Sequence, residues 1–138
     1  MRVRRWVSLS AAAGLALARP ADATHEVTHR YVVLGHVWDG AGRPVPGTEV
    51  QVTRGKTALV YQKRTGPDGL YVVIVHLHDD DLLERLEVRT REAALSIEVR
   101  FNPLNVRAER GTRVDFTGGR AMERQELFAR TLEEYLKR

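Results

Sequence analysis

The chain has 138 residues, with 22 basic and 18 acidic side chains, five histidines and no cysteine, for a formal charge of +4. The missing cysteine excludes disulfides, thiolate metal sites and a cysteine nucleophile. The positive charge points to an anionic partner only if it is clustered on the folded domain.

It is not. Residues 1–23 read as a cleavable signal peptide. Arg2, Arg4 and Arg5 form a positive n-region, Trp6 to Ala18 is uncharged and apolar, and Ala21-Asp22-Ala23 offers small residues at −3 and −1. The apolar run is too short to span a bilayer ~30 Å thick as a helix. Arg4-Arg5 invites a twin-arginine reading, but Val3 and Ser8 fit that pattern poorly. Cleavage after Ala23 removes four arginines and one aspartate, leaving 18 basic and 17 acidic residues. The mature product is therefore expected to be near-neutral and soluble, in a periplasm or outside the cell, with no nucleic-acid partner. A domain of this size without disulfides depends on packing, which favours a well-formed β-sandwich.

In chain order, Thr24 to Arg30 is a polar lead-in and Tyr31 to Trp38 is a strand with apolar residues on both faces. Asp39 to Arg43 is a turn. Thr48 to Thr53 alternates, with Val50 and Val52 on one side. Arg54-Gly55-Lys56 turns into a strand over Thr57 to Arg64. Thr65-Gly66-Pro67-Asp68-Gly69 is a strong turn signal. Leu70 to Leu77 is the most apolar run and reads as a central strand. Leu86 and Val88 oppose Glu87 and Arg89, and Leu95, Ile97, Val99 and Phe101 oppose Ser96, Glu98 and Arg100. This is the period-two pattern of a sheet with one wet face. Val106 and Val114 to Phe116 supply one or two short strands, and Thr117-Gly118-Gly119 ends the β region.

Residues 121–137 change character. Ala121, Phe128, Ala129, Leu132, Tyr135 and Leu136 share one helical face, and Glu126→Arg130 and Glu133→Lys137 are favourable i,i+4 pairs. A C-terminal amphipathic helix of about four turns is expected over 121–138, docked on the sandwich or offered to a partner protein. The domain proper is 24–120.

The stretch GHVWDGAGRPVPGTEVQV, Gly35 to Val52, resembles the opening of the carboxypeptidase regulatory-like domains. That family shows Gly-x-Val-x-Asp, a Gly turn, then Pro-Val-x-Gly-Ala-x-Val-x-Val. Its later Thr-x-x-x-Gly-x-Tyr element appears as Thr65 to Tyr71. The resemblance implies a transthyretin-like sandwich of about seven strands, and a non-enzymatic accessory or interaction module of the cell envelope with a protein partner. The motif specifies a fold and no chemistry.

Three sites merit weighing. His36-Val37-Trp38-Asp39 resembles the opening of the hydroxyisourate hydrolases, which implies an active-site role for His36. That family ends in Tyr-Arg-Gly-Ser, whereas this chain ends Leu132 to Arg138 without it. His76 and His78 fall on one side of a strand and Asp80 follows, a donor set that suits Cu or Zn. His25 and His29 would join only by folding back, and Thr24-His25 at a new N-terminus lacks the third-position histidine of a strong copper chelate. Asp79-Asp80-Asp81 lacks the alternating ligands and glycine of a calcium loop. No Ser/His/Asp arrangement and no Gly-rich phosphate loop is present, so no catalytic residue is assigned. The readings rank as interaction module, then metal-binding protein through His76, His78 and Asp80, then hydrolase.

Overall fold

In a computed structural model that describes residues 27–138, alternation along each strand sorts the side chains into a core and two outer faces. Eight strands form: β1 (Arg30–Trp38), β2 (Glu49–Arg54), β3 (Val60–Arg64), β4 (Leu70–His76), β5 (Arg85–Arg89), β6 (Ala94–Glu98), β7 (Gly111–Thr117) and β8 (Arg120–Glu123). They make two four-stranded sheets, ordered β4-β1-β7-β8 and β3-β2-β5-β6. β1 and β7 pair in parallel and the other pairs are antiparallel. Tyr31, Val33, Tyr71, Val73, Val75, Val114 and Phe116 from one sheet meet Val50, Val52, Leu86, Val88 and Ile97 from the other. The fold is a β-sandwich with a C-terminal helix, all-β as expected and one strand richer than the seven anticipated.

Four expectations are corrected. The run Leu70 to Leu77 is an edge strand rather than a central one, and β1 and β7 hold the centre of that sheet. β4 still reads as apolar because its inner face fills the core and Val72 packs on the outer face; the price is an exposed Ile74. The strand expected from Thr57 starts only at Val60, because Ala58 takes a left-handed φ of 63° and widens the turn after β2. The helix expected from Ala121 begins at Phe128 and has nine residues. Gly118 and Gly119 adopt φ of 53° and 83°, closing a two-residue hairpin that pairs Thr117 with Arg120 and turns residues 120–123 into β8. Ala121, assigned to the helical stripe, packs against the core from that strand. Val106, an expected strand residue, is exposed in a loop.

The helix (Phe128–Leu136) covers the outer face of the first sheet. Phe128 and Leu132 pack on Val32, Leu34 and Val72 as a second, smaller core. This explains why β1 is apolar on both faces. Tyr135 and Leu136 project outward instead. Glu133 and Lys137 stand 3.9 Å apart, as the i,i+4 spacing predicts.

β1 and β7 approach closely at Gly35. A Cβ there would lie 1.8 Å from the Val114 carbonyl oxygen, so only glycine fits. The ladder breaks at this point, and side chains repair it. The Tyr71 hydroxyl donates to the Val114 carbonyl at 2.6 Å, and the His36 amide donates to the Asp115 carboxylate at 2.9 Å.

A candidate metal centre at the sheet rim

The antiparallel pairing of β1 with β4 brings three histidines to one rim. Arg30 lies opposite His76, and the Leu77 amide donates to the His29 carbonyl at 3.0 Å. The residue that precedes β1 thus sits beside the residues that end β4. His76 projects from the exposed outer face. His78 follows in an extended backbone, φ −116° and ψ 179°, so it returns to the same side. Their Nε2 atoms stand 3.0 Å apart. The His29 ring lies 4.4 Å from His78 and 6.1 Å from His76, centroid to centroid.

A cavity of about 350 Å³ opens beside the cluster, lined by Thr28, His29, His78, Asp79 and Asp80. The acidic triplet forms a short 3-10 turn at its edge. Asp79 accepts from Arg110 at 2.7 Å, and Asp81 accepts from the Lys56 ammonium at 2.9 Å. Two of the three carboxylates are thus engaged by internal cations, which argues against a calcium loop. Asp80 lines the cavity beside His29 and His78.

The rim is held from beneath by a buried charge cluster that sequence reasoning missed. Arg54 ends β2 pointing inward. It forms a two-pronged pair with Glu84, lies 3.2 Å from Asp81, and donates to the His76 carbonyl at 3.3 Å. Asp81 also accepts the His78 amide at 2.9 Å. One guanidinium and one carboxylate therefore fix the backbone of both histidines. Burial works against the Asp81 carboxylate, but the His78 amide and the Lys56 ammonium outweigh it and hold its pKa below the usual 3.8. The alternation Val50, Val52, Arg54 was the available signal: a charged residue in register with two core valines demands a buried partner.

Among the described residues no group of three or more His, Cys, Asp or Glu side chains is placed so that it could hold a metal ion as it stands. The arrangement is a close histidine pair with a third histidine and Asp80 at its border. His25 and residues 1–23, the signal-peptide assignment included, lie outside the described residues.

His36 stands elsewhere, on the outer face of the same sheet as the helix. Its ring stacks on Trp38 with centroids 5.0 Å apart and planes 6° from parallel. Burial lowers its pKa from 6.5, and the Arg113 cation adds to this. Nδ1 is buried and has no hydrogen-bond partner among the described residues. The neighbouring Asp115 is spent on the His36 amide and on Arg113.

No helix among the described residues is long and apolar enough to cross a membrane. No family model matches the sequence, and no curated protein matches it. Among solved structures, the chain is similar to the dioxygenase domain of a dioxygenase–carbohydrate-binding protein fusion from Streptomyces sp. SirexAA-E, at 18% identity over 64% of this chain and 79% of that one, with a TM-score of 0.42. It is also similar to catechol 1,2-dioxygenase from Acinetobacter sp. ADP1, at 13% identity over 63% of this chain and 44% of that one, with a TM-score of 0.38.

Proposed function

We propose that this chain is an exported β-sandwich protein that binds one transition-metal ion, Cu(II) or Zn(II), through His76 and His78, with His29 and Asp80 completing the site. The observation that carries the reading is the 3.0 Å separation of the two Nε2 atoms. Two imidazole nitrogens held ~2.0–2.1 Å from one ion at the right angle of tetragonal Cu(II) stand about 2.9 Å apart, whereas the tetrahedral angle of Zn(II) parts them by about 3.3 Å, so the spacing favours Cu(II). The same spacing accommodates a shared proton when no ion is bound. The Arg54–Glu84 cluster supports the reading further, because it orients the backbone of both ligands at the cost of burying charge. The signal-like N-terminus favours export, and the Gly35–Val52 motif favours a transthyretin-like sandwich of the carboxypeptidase regulatory-like kind.

The test is calorimetry and thermal unfolding of the mature protein with Cu(II) and Zn(II). One equivalent should bind, and free metal at a hundredfold excess over Kd should add about 2.7 kcal/mol. His76→Ala and His78→Ala should each weaken binding at least tenfold, and His29→Ala and Asp80→Asn should weaken it less. Absence of saturable binding, or binding unchanged in both single histidine variants, refutes the reading. Mass spectrometry of the protein isolated from an expressing cell envelope should find Thr24 as the first residue; an intact N-terminus refutes export by cleavage at Ala23.

A second reading, an accessory module with a protein partner in the envelope, is favoured by Tyr135 and Leu136, which the helix leaves exposed at 38% and 68%. Leu136→Lys should then abolish recovery of a partner by affinity capture without changing thermal stability. Unchanged recovery removes the helix from consideration.

A further inference from the structure

Four strands end the two sheets, β4 and β8 in one and β3 and β6 in the other. An edge strand offers a row of unpaired amides and carbonyls, and folded proteins guard such rows with charge or by keeping them short. β3 carries Lys63 and Arg64, β6 carries Glu98, and β8 carries Arg120 and Glu123, in strands of five, five and four residues. β4, LYVVIVH, has seven residues and no Lys, Arg, Asp, Glu or Pro. Among the described residues it is the longest edge and the one without a guard.

The register of β4 on β1 fixes which of its groups are free. The Leu77 amide donates to the His29 carbonyl and the Val37 amide to the Gly69 carbonyl, both in line with the β1–β4 pairing. Bonded and non-bonded pairs alternate along an antiparallel ladder. Tyr71, Val73 and Val75 therefore bond to β1, while Leu70, Val72, Ile74 and His76 turn their amides and carbonyls outward. The ends of this outer row are engaged. The Leu70 amide donates to Asp68, the Leu70 carbonyl accepts from Gly66, and the His76 carbonyl accepts from Arg54. Both groups of Val72, both groups of Ile74 and the His76 amide meet no partner among the described residues. The Ile74 side chain stands at the middle of the row, 55% exposed.

We propose that a second copy of this chain pairs antiparallel with β4 along this edge, about a twofold axis at Ile74. The two Ile74 residues then exchange both backbone bonds, and Val72 of each copy faces His76 of the other. Every free group of the row gains a partner, with the second lone pair of the His76 carbonyl taking the Val72 amide. Any shift of the axis sets a free residue against Leu70 or His78, whose amides are already bonded. The exposed Ile74 side chains cover each other on the outer face, and the two sheets become one. A strand without charge meets its own copy without repulsion, so the surface is self-complementary, as a twofold interface requires. The proposal does not rest on the metal reading.

Sedimentation equilibrium of the purified protein in EDTA should show a monomer–dimer equilibrium that shifts with concentration. Ile74→Lys sets two ammonium groups against each other at the axis and should raise the dimer dissociation constant at least tenfold. Ile74→Cys is an arm that does not need the lysine variant to fold, and it is clean because the chain has no cysteine. Bonded pairs in an antiparallel ladder have Cα atoms about 5.5 Å apart, within the span of a disulfide. Diamide should therefore cross-link two copies through position 74 at least tenfold faster than through Leu104→Cys, whose parent side chain is 89% exposed away from β4. A protein that stays monomeric at every concentration leaves the edge to a strand of another protein and overturns the inference. So does a dimer that Ile74→Lys leaves intact, a dimer that forms only without EDTA, or cross-linking at position 74 no faster than at position 104.

Discussion

Arg54 and Glu84 face each other in a two-pronged pair, Nε to Oε2 at 3.1 Å and Nη2 to Oε1 at 2.8 Å, with both side chains almost wholly buried. The pair ties the end of β2 to the segment before β5, and through the His76 carbonyl to the end of β4. It therefore bridges the two sheets at the end of the sandwich that carries the histidines.

Removing one partner leaves the other as an uncompensated buried charge. Arg54→Met or Glu84→Gln should cost about 3–5 kcal/mol in urea unfolding. The double variant Arg54→Met/Glu84→Met should lose clearly less than the sum of the single changes, because no charge is then stranded. Additive losses would show that the two side chains do not act as a pair.

Asp81 makes stability depend on acid. Its folded pKa lies below the unfolded value near 3.8, so its contribution is present above that value and is lost as pH falls through the folded pKa. Urea midpoints should decline below about pH 4, and Asp81→Asn should show lower stability at pH 7 with a shallower acid decline. Parallel curves for the two proteins would remove Asp81 from the account.

His36 acts in a higher window. Its folded pKa is lowered by burial, so the unfolded chain binds the extra proton first. Stability should begin to fall as pH drops through the unfolded value of 6.5, and the loss should be complete below the folded pKa. His36→Phe keeps a ring over Trp38 and removes the titration. The difference in Tm between variant and parent should therefore widen in the variant's favour from pH 7.5 to pH 5; a constant difference contradicts this.

The helix is a structural cover at its start and exposed at its end. Phe128→Ala should cost about 3–5 kcal/mol, since Val32, Leu34 and Val72 lose their lid. Leu136→Ala should stay within about 0.5 kcal/mol. Equal and small effects would mean that the helix does not dock in solution.

Local patterns are legible where one short stretch of chain decides the outcome. The alternation of Leu86, Val88, Leu95 and Ile97 against charged neighbours fixed which face of the second sheet is wet, because strand side chains alternate whatever the strand pairs with. Thr65 to Gly69 declared its turn, since proline and Asp-Gly set φ locally. Gly118-Gly119 declared a hairpin in the same way. The helical periodicity over 121–137 hid that signal, and tertiary pairing with β7 won over it.

Strand order and the functional clusters belong to the tertiary structure. Nothing local distinguishes an edge strand from a central one when a helix covers its outer face, so β4 read as central. His29 and His76 are 47 positions apart in the sequence and meet only because β1 and β4 run antiparallel. Arg54 meets Glu84 across 30 positions, and Arg110 meets Asp79 across 31. The sequence by itself determined a β-rich, cysteine-free domain and the histidine pair His76 and His78, whose two-residue spacing along extended chain is a local property. Which third histidine joins them and which carboxylates are engaged internally were decided by long-range packing, because charge pairing depends on distance in space and not on separation along the chain.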